Sequence, residues 1–247
     1  EYVEQWRHQL FRVLQCPDGS TPDSNGCWAK TSSLPEVEGA TCRASARTAG
    51  WSTSHPILPV TAEKYRSEFD FLEGGKHPLS SPRIYRRAIG SSTAHTPGVM
   101  GRAWTHSHGV VFKAVPQTAP TVVLIRGGEG FTRSFFRSSG APNWSAANSA
   151  DILIQNGDES WIYRRADDDA VLLFTADGKL KTITPRNGWA TIYTYNGSGQ
   201  LATISNGFGR ALTLGYNAAG QLVSVTTPAL RVIAYAYGTA GRLSVVT

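Results

Sequence analysis

The amino-acid sequence predicts an all-β chain of antiparallel β-hairpin repeats, preceded by a short irregular or helical N-terminal segment. Three observations carry that expectation. A 21-residue unit recurs four times without a gap in the C-terminal part. Upstream of it, short runs with two-residue alternation follow one another from about residue 60, separated by turn residues. The 247 residues include 25 glycines and 13 prolines with only 17% charged, a composition of turns and half-buried strands.

The first region, 1–58, is the least regular. Val3, Trp6, Leu10, Phe11 and Leu14 recur at helical spacing, so a short helix is expected over 1–14. The three cysteines, Cys16, Cys27 and Cys42, all fall in this region. The stretch between Cys16 and Cys27 is rich in Gly, Pro, Asp and Ser. A disulfide joining them would close a turn-rich loop, contribute about 3 kcal/mol and imply an oxidising compartment. Free thiols are the alternative. A zinc site is disfavoured because no Cys-x2-Cys pair exists and the nearest histidines are His8 and His55.

The second region, 59–150, reads as strand after strand. Alternation over 61–71 predicts a strand, and Gly74, Gly75, His77 and Pro78 a turn. Residues 79–87, containing Tyr85, resume as a strand, followed by a loop of small residues at 90–98. Further strands are expected at 101–108, 110–112, 121–126 and 130–136.

The third region, 151–247, begins with strands at 151–155, 161–164 and 171–175 and continues into the repeats. Each copy carries an aromatic residue, a glycine four positions on and a leucine two positions later. The aromatics are Phe174, Tyr195, Tyr216 and Tyr237, and the glycines Gly178, Gly199, Gly220 and Gly241. The leucines are Leu180, Leu201, Leu222 and Leu243, each followed three positions later by Ile183, Ile204, Val225 or Val246. Thr191, Tyr193 and Tyr195 share one strand face, and Ile192 and Thr194 the other. In the next copies the first face holds Leu212, Leu214 and Tyr216, then Ile233, Tyr235 and Tyr237. The opposite face holds the small residues Thr213 and Gly215, then Ala234 and Ala236. Residues 196–199 read as a turn and 201–205 as the return strand, so each repeat is one hairpin. Leu201 and Ile204 are an odd number apart, which a regular strand would place on opposite faces; a β-bulge is the device that would reconcile them. A fixed period of this kind means stacked units that cannot bury their apolar faces alone.

Charge and chemistry are unremarkable. Net charge is +6, but the basic residues are scattered at Arg83, Arg86, Arg87, Arg133, Arg137, Arg164 and Arg165, so no specific nucleic-acid partner is expected. No apolar run reaches 18 residues, so no helix is expected to span a membrane. The chain begins at Glu1, which fits either a removed leader or a piece of a longer protein. His106 and His108, at i and i+2, have a spacing that can ligate a metal, and Asp167, Asp168 and Asp169 one that can attract a cation; the end of a strand and a solvated acidic turn are the simpler accounts. The glycine-rich run 126–130 is not followed by a helix pattern, which disfavours a phosphate cradle. Ser107 and Ser145 lack a nucleophile elbow. No catalytic constellation, cofactor site or metal site is expected, and the chain is not expected to be an enzyme.

The stretches TAEK at 61–64, HPLSSPRIYRR at 77–87 and MGRAWTHSH at 100–108 resemble the opening module of rearrangement-hotspot (Rhs) and YD-repeat proteins. There, "TGEKY", "PLxFxRxYxS" and "GxGWxHSY" strands precede the repeats. The 21-residue units resemble the YD repeat, YDxxGRL; the closest copy runs from Tyr237 to Leu243. Where the repeat has Asp, this chain has Thr175, Asn196, Asn217 and Gly238. The resemblance implies a curved, hollow shell of hairpins in an exported bacterial protein, secreted or at the cell envelope, often enclosing a C-terminal toxin. A carbohydrate-binding module using exposed repeat aromatics is the alternative. The chain lacks the "DPxGLxGG"-like sequence that ends such shells and has only about four repeats. It is therefore expected to be a fragment, a truncated member or one part of an assembly. Its expected partner is the rest of a longer polypeptide, or another chain pairing at an open C-terminal edge.

Overall fold

The computed structural model describes residues 20–23, 26–29, 57–58, 63–87, 89, 98–117, 119–138, 141–146 and 149–247. The chain divides into two units, Glu1–Glu36 and Val37–Thr247. In the first, β1 (Ser20–Asp23) pairs antiparallel with β2 (Gly26–Ala29), Ser20 opposite Ala29 and Asp23 opposite Gly26. The turn-rich stretch after Cys16 is thus a hairpin, with Cys27 in its second strand. Cys16, Cys42 and the helix expected over 1–14 lie outside the described residues, and with them the disulfide.

The second unit contains two sheets. The smaller holds β3 (Ile57–Leu58), β4 (Glu63–Leu72), β5 (Ser80–Arg86) and β6 (Trp104–His106) in that order. The larger has 14 strands in strict sequence order and is not closed. It starts with β7 (Val111–Val115), β8 (Val122–Arg126), β9 (Thr132–Phe136), β10 (Trp144–Ala146), β11 (Ile152–Gln155), β12 (Trp161–Arg164) and β13 (Val171–Phe174). It continues with β14 (Leu180–Thr184), β15 (Thr191–Tyr195), β16 (Leu201–Asn206), β17 (Ala211–Tyr216), β18 (Leu222–Thr226), β19 (Val232–Tyr237) and β20 (Leu243–Val246). Every neighbouring pair is antiparallel, as short turns between consecutive strands require. The boundaries expected at 58/59 and 150/151 both fall inside sheets: β3 pairs with β4, and the large sheet already starts at Val111. Strand β10 is absent from the sequence reading. Its three residues are too few to show a period, yet Trp144 is fully buried.

The alternation read from the sequence sets the two faces of the repeat strands. Tyr193, Leu212, Leu214, Ile233 and Tyr235 are buried, whereas Ile192 is 41% exposed and Thr213, Ala234 and Ala236 face solvent. The buried side chains form one continuous core that also takes in Leu79 and Met100 from the opening module. The smaller sheet and its loops therefore pack against the apolar face of the larger.

A β-bulge recurs in all four repeats. Tyr195 lies opposite Leu201 and Thr194 opposite Thr203, leaving Ala202 as the extra residue. The same shift occurs between Leu173 and Phe174, between Gly215 and Tyr216, and between Ala236 and Tyr237. One extra residue converts an odd spacing into an even one. Leu222 and Val225 are consequently both buried, as Leu180, Ile183, Leu201 and Ile204 are buried or half-buried.

Candidate functional site

The repeats are built from turns upward. Gly178, Gly199, Gly220 and Gly241 all have positive φ, from +65° to +79°, which is why a residue without Cβ closes each copy. The residue after each aromatic caps the turn. The Asn196 side-chain oxygen accepts from the amides of Ser198 at 3.0 Å and Gln200 at 2.9 Å, and Asn217 does the same for Ala219 and Gln221. Thr175 substitutes with its hydroxyl, which accepts from the Lys179 amide. An Asx-type cap explains why Asp, Asn and Thr share this position. The last copy has Gly238 there and keeps only the backbone bonds.

The repeat tyrosines tie one rung to the one before. Tyr216 donates its hydroxyl to the carbonyl of Leu201 at 2.8 Å, and Tyr237 to that of Leu222 at 2.6 Å. Each reaches the residue 15 positions earlier. Burial holds these phenols neutral: it pushes Tyr195 and Tyr216 up, and Tyr237 up to about 12. Phe174, which opens the array, has no hydroxyl to offer.

The opening module is fastened across this face by a seam of polar contacts. Tyr235 donates to Asp70 at 2.9 Å, and Asp70 in turn accepts from Arg83 at 2.7 Å. Arg210 reaches the backbone carbonyls of Gly74, Lys76 and His77 and pairs with Glu73 at 3.1 Å. Asn206 donates to the carbonyl of His77, and the Leu222 amide to that of Val99 at 2.7 Å. Both members of the buried Arg86–Glu63 pair belong to the module, and Arg86 also donates to the carbonyl of Gly130 at 2.8 Å.

That last bond holds the 126–130 loop, whose glycines serve close approach. A Cβ on Gly128 would lie 1.8 Å from the Ser107 carbonyl oxygen. The loop therefore lies against the end of β6, and a cavity of about 250 Å3 opens between it and the inner face of the large sheet. His108 lines the cavity. Its Nε2–H donates to the Ser80 carbonyl at 2.7 Å, which leaves Nδ1 to accept from the Tyr193 hydroxyl at 3.2 Å. Burial lowers its pKa below the usual histidine range. His106 is more strongly affected: burial, then the neighbouring His108, brings it down to about 3. At the far wall Asp151 accepts from Tyr163 at 2.7 Å and pairs with Arg133 at 3.1 Å.

Set against the sequence, the expected site residues fall into place unevenly. The eight repeat positions are the turn and rung residues just described. His106 ends β6 and His108 lies beyond it in a turn, so the two do not share a strand face as their spacing suggests; their ring centroids are 6.4 Å apart. No cluster of three metal-ligating side chains exists among the described residues. Asp168 pairs with Arg165, and Asp169 with Arg186 at the surface, as befits a solvated turn. The role of His108 as a link between module and repeats carries no sequence signal. The loop glycines were visible, but not what they approach.

Residues 174–211 and 216–247 match the RHS Repeat family. Together with the rung geometry, that match decides what these residues are. The chain carries Rhs/YD-type repeats. No curated protein matches it. RHS repeats are generally structural and non-catalytic, and are typical of extracellular or envelope-associated proteins. Among the described residues, no helix is long and apolar enough to cross a membrane.

Proposed function

We propose that this chain is a non-enzymatic wall segment of an exported polypeptide, serving toxin encapsulation and delivery or contact with a cell envelope. The observation that carries the reading is the rung-to-rung tyrosine bond: each hairpin is completed by its neighbour, which suits a wall extended by addition. The module fills the apolar face of these rungs, so this segment acts as the sealed end, and any enclosed space is made by rungs added beyond β20. A glycan platform on the repeat tyrosines would need exposed rings, but Tyr193 and Tyr235 are buried, and Tyr195, Tyr216 and Tyr237 are half-buried, the last two with their hydroxyls engaged.

The partner in this reading is further chain, or a second chain, pairing at β20. Val246 lies opposite Tyr235, between the bonded pairs Ala236–Val245 and Ala234–Thr247, so its N–H points away from β19. Val246→Pro therefore removes an outward donor without breaking the β19 ladder. Sedimentation of the isolated chain is expected to show concentration-dependent association that Val246→Pro suppresses. A chain that stays monomeric at all concentrations, or associates equally well as Val246→Pro, contradicts the reading.

A further inference from the structure

The repeat strands turn on two sides of the array, and the sides differ. On one, the turns at 175–179, 196–200, 217–221 and 238–242 carry only small, polar or charged side chains. On the other, the turns joining β14 to β15, β16 to β17 and β18 to β19 each present one large apolar residue to solvent together with an arginine. These are Trp189 with Arg186, Phe208 with Arg210, and Leu230 with Arg231. Trp189 is 40% exposed, Phe208 49% and Leu230 81%. Trp189 and Phe208 meet edge to face across neighbouring tips, their ring centroids 5.4 Å apart. The opening module adds to the same rim. Its chain crosses the array from Asp70 on Tyr235, through Glu73 on Arg210, to His77 on Thr191. That path places the exposed Leu72 and Lys76 along the row of tips.

Packing does not account for Leu230. Its backbone is left-handed, at φ 60°, where the two preceding tips have Gly188 and Gly209. A branched side chain is strained there, and with so little of it buried nothing in the fold offsets the strain. Folding alone favours glycine at this position. A strained residue that holds an apolar side chain out in water is accounted for by something it meets outside the fold.

We propose that this rim docks on a lipid bilayer, with Leu72, Trp189, Phe208 and Leu230 entering the interfacial layer. The inference rests on the envelope-contact reading above and names the lipid itself as the partner. The apolar side chains stand on projecting turns about 10 Å apart, two strand spacings, and so form a row of points, not a groove that another protein would fill. Trp and Phe settle at the headgroup boundary. Lys76 and Arg231 have no acidic partner among the described residues and lie beside them to meet lipid phosphates. Arg186 and Arg210 are already held by Asp169 and Glu73, so insertion of the apolar tips carries more of the binding than charge does. The acidic turn at 167–169 bounds the row at the β12–β13 end.

The test is flotation with vesicles of equal parts phosphatidylcholine and phosphatidylglycerol, at protein concentrations below self-association. The wild-type chain is expected to float. Leu230→Gly is expected to weaken partitioning about fivefold, the worth of moving part of a leucine side chain out of water, while its melting temperature does not fall. Weaker binding by a chain at least as stable separates a lost contact from a damaged fold. The substitution removes no charge, so adsorption of a chain of net charge +6 by electrostatics alone does not register it. Ile192→Ala, which trims an exposed aliphatic residue away from the rim, is expected to float like wild type. The proposal is overturned if the wild-type chain stays unbound, if Leu230→Gly floats undiminished, or if Ile192→Ala loses as much as Leu230→Gly. It is also overturned if Leu230→Gly floats normally but self-associates less, which makes the rim an interface between copies of this chain. Any of the first three results, with association through β20 intact, leaves the wall reading standing.

Discussion

The hydroxyl of Tyr216 lies 2.8 Å from the backbone carbonyl of Leu201, a bond between successive rungs that is made again, one period on, by Tyr237 and Leu222. Tyr216→Phe keeps the ring and removes only this bond. It is expected to lower stability by about 1 kcal/mol in a denaturant titration. Tyr237→Phe should cost at least as much, since that hydroxyl also meets the Val99 carbonyl at 3.2 Å. Unchanged midpoints in both variants would show that the rungs are joined by packing alone.

Leu214 and Ile192 test the two faces. Leu214 is 7% exposed and Ile192 41%. Leu214→Ala is expected to cost about 2–5 kcal/mol as a buried large-to-small change. Ile192→Ala, on the solvent face, is expected to stay within about 0.5 kcal/mol. Equal losses at the two sites would contradict the assignment of inner and outer sides.

The buried histidines make the fold acid-sensitive. His106 has a folded pKa of about 3 against an ordinary 6.5. Neutral His106 thus stabilises the fold fully above pH 6.5, and the contribution is lost as the pH falls toward 3. The slope for one such group is about 1.4 kcal/mol per pH unit. His108 is shifted in the same direction and adds to it. Unfolding free energies measured from pH 7 to 4 should fall accordingly, and His106→Gln should reduce the slope to that of His108 and the carboxylates. A variant with the wild-type slope would mean that His106 titrates normally.

Leu230 occupies a left-handed turn position, φ 60°, where the two preceding rungs have Gly188 and Gly209 at 78° and 74°. Its side chain is 81% exposed and contributes little packing. Leu230→Gly is therefore expected to stabilise by about 0.5–1 kcal/mol, the relief of strain less the extra freedom of unfolded glycine. A lower melting temperature would indicate that the leucine makes a contact that outweighs the strain.

The repeat hairpins were legible because their signal is local. Alternation around Tyr193 fixed which side is buried, and the positive-φ glycines fixed the turns. The odd interval between Leu201 and Ile204 pointed to a bulge without deciding it, since nothing along one strand says which residue its partner skips. Strand β10 was too short to carry a period. Where the opening module would lie was not legible at all. Its seam joins residues more than 100 positions apart, such as Asp70 to Tyr235 and His77 to Thr191, and neither member of such a pair identifies the other.

The bulge recurring at each copy quantises the length of this ribbon. Gain or loss of 21 residues adds or removes a full rung and leaves every other side chain on its own side. Gain or loss of a single residue inverts the remainder of the strand, turning its greasy side to water. Duplication and recombination in whole-rung steps are therefore the insertions such a wall survives, while small frameshift-free slips within a rung are the ones it rejects.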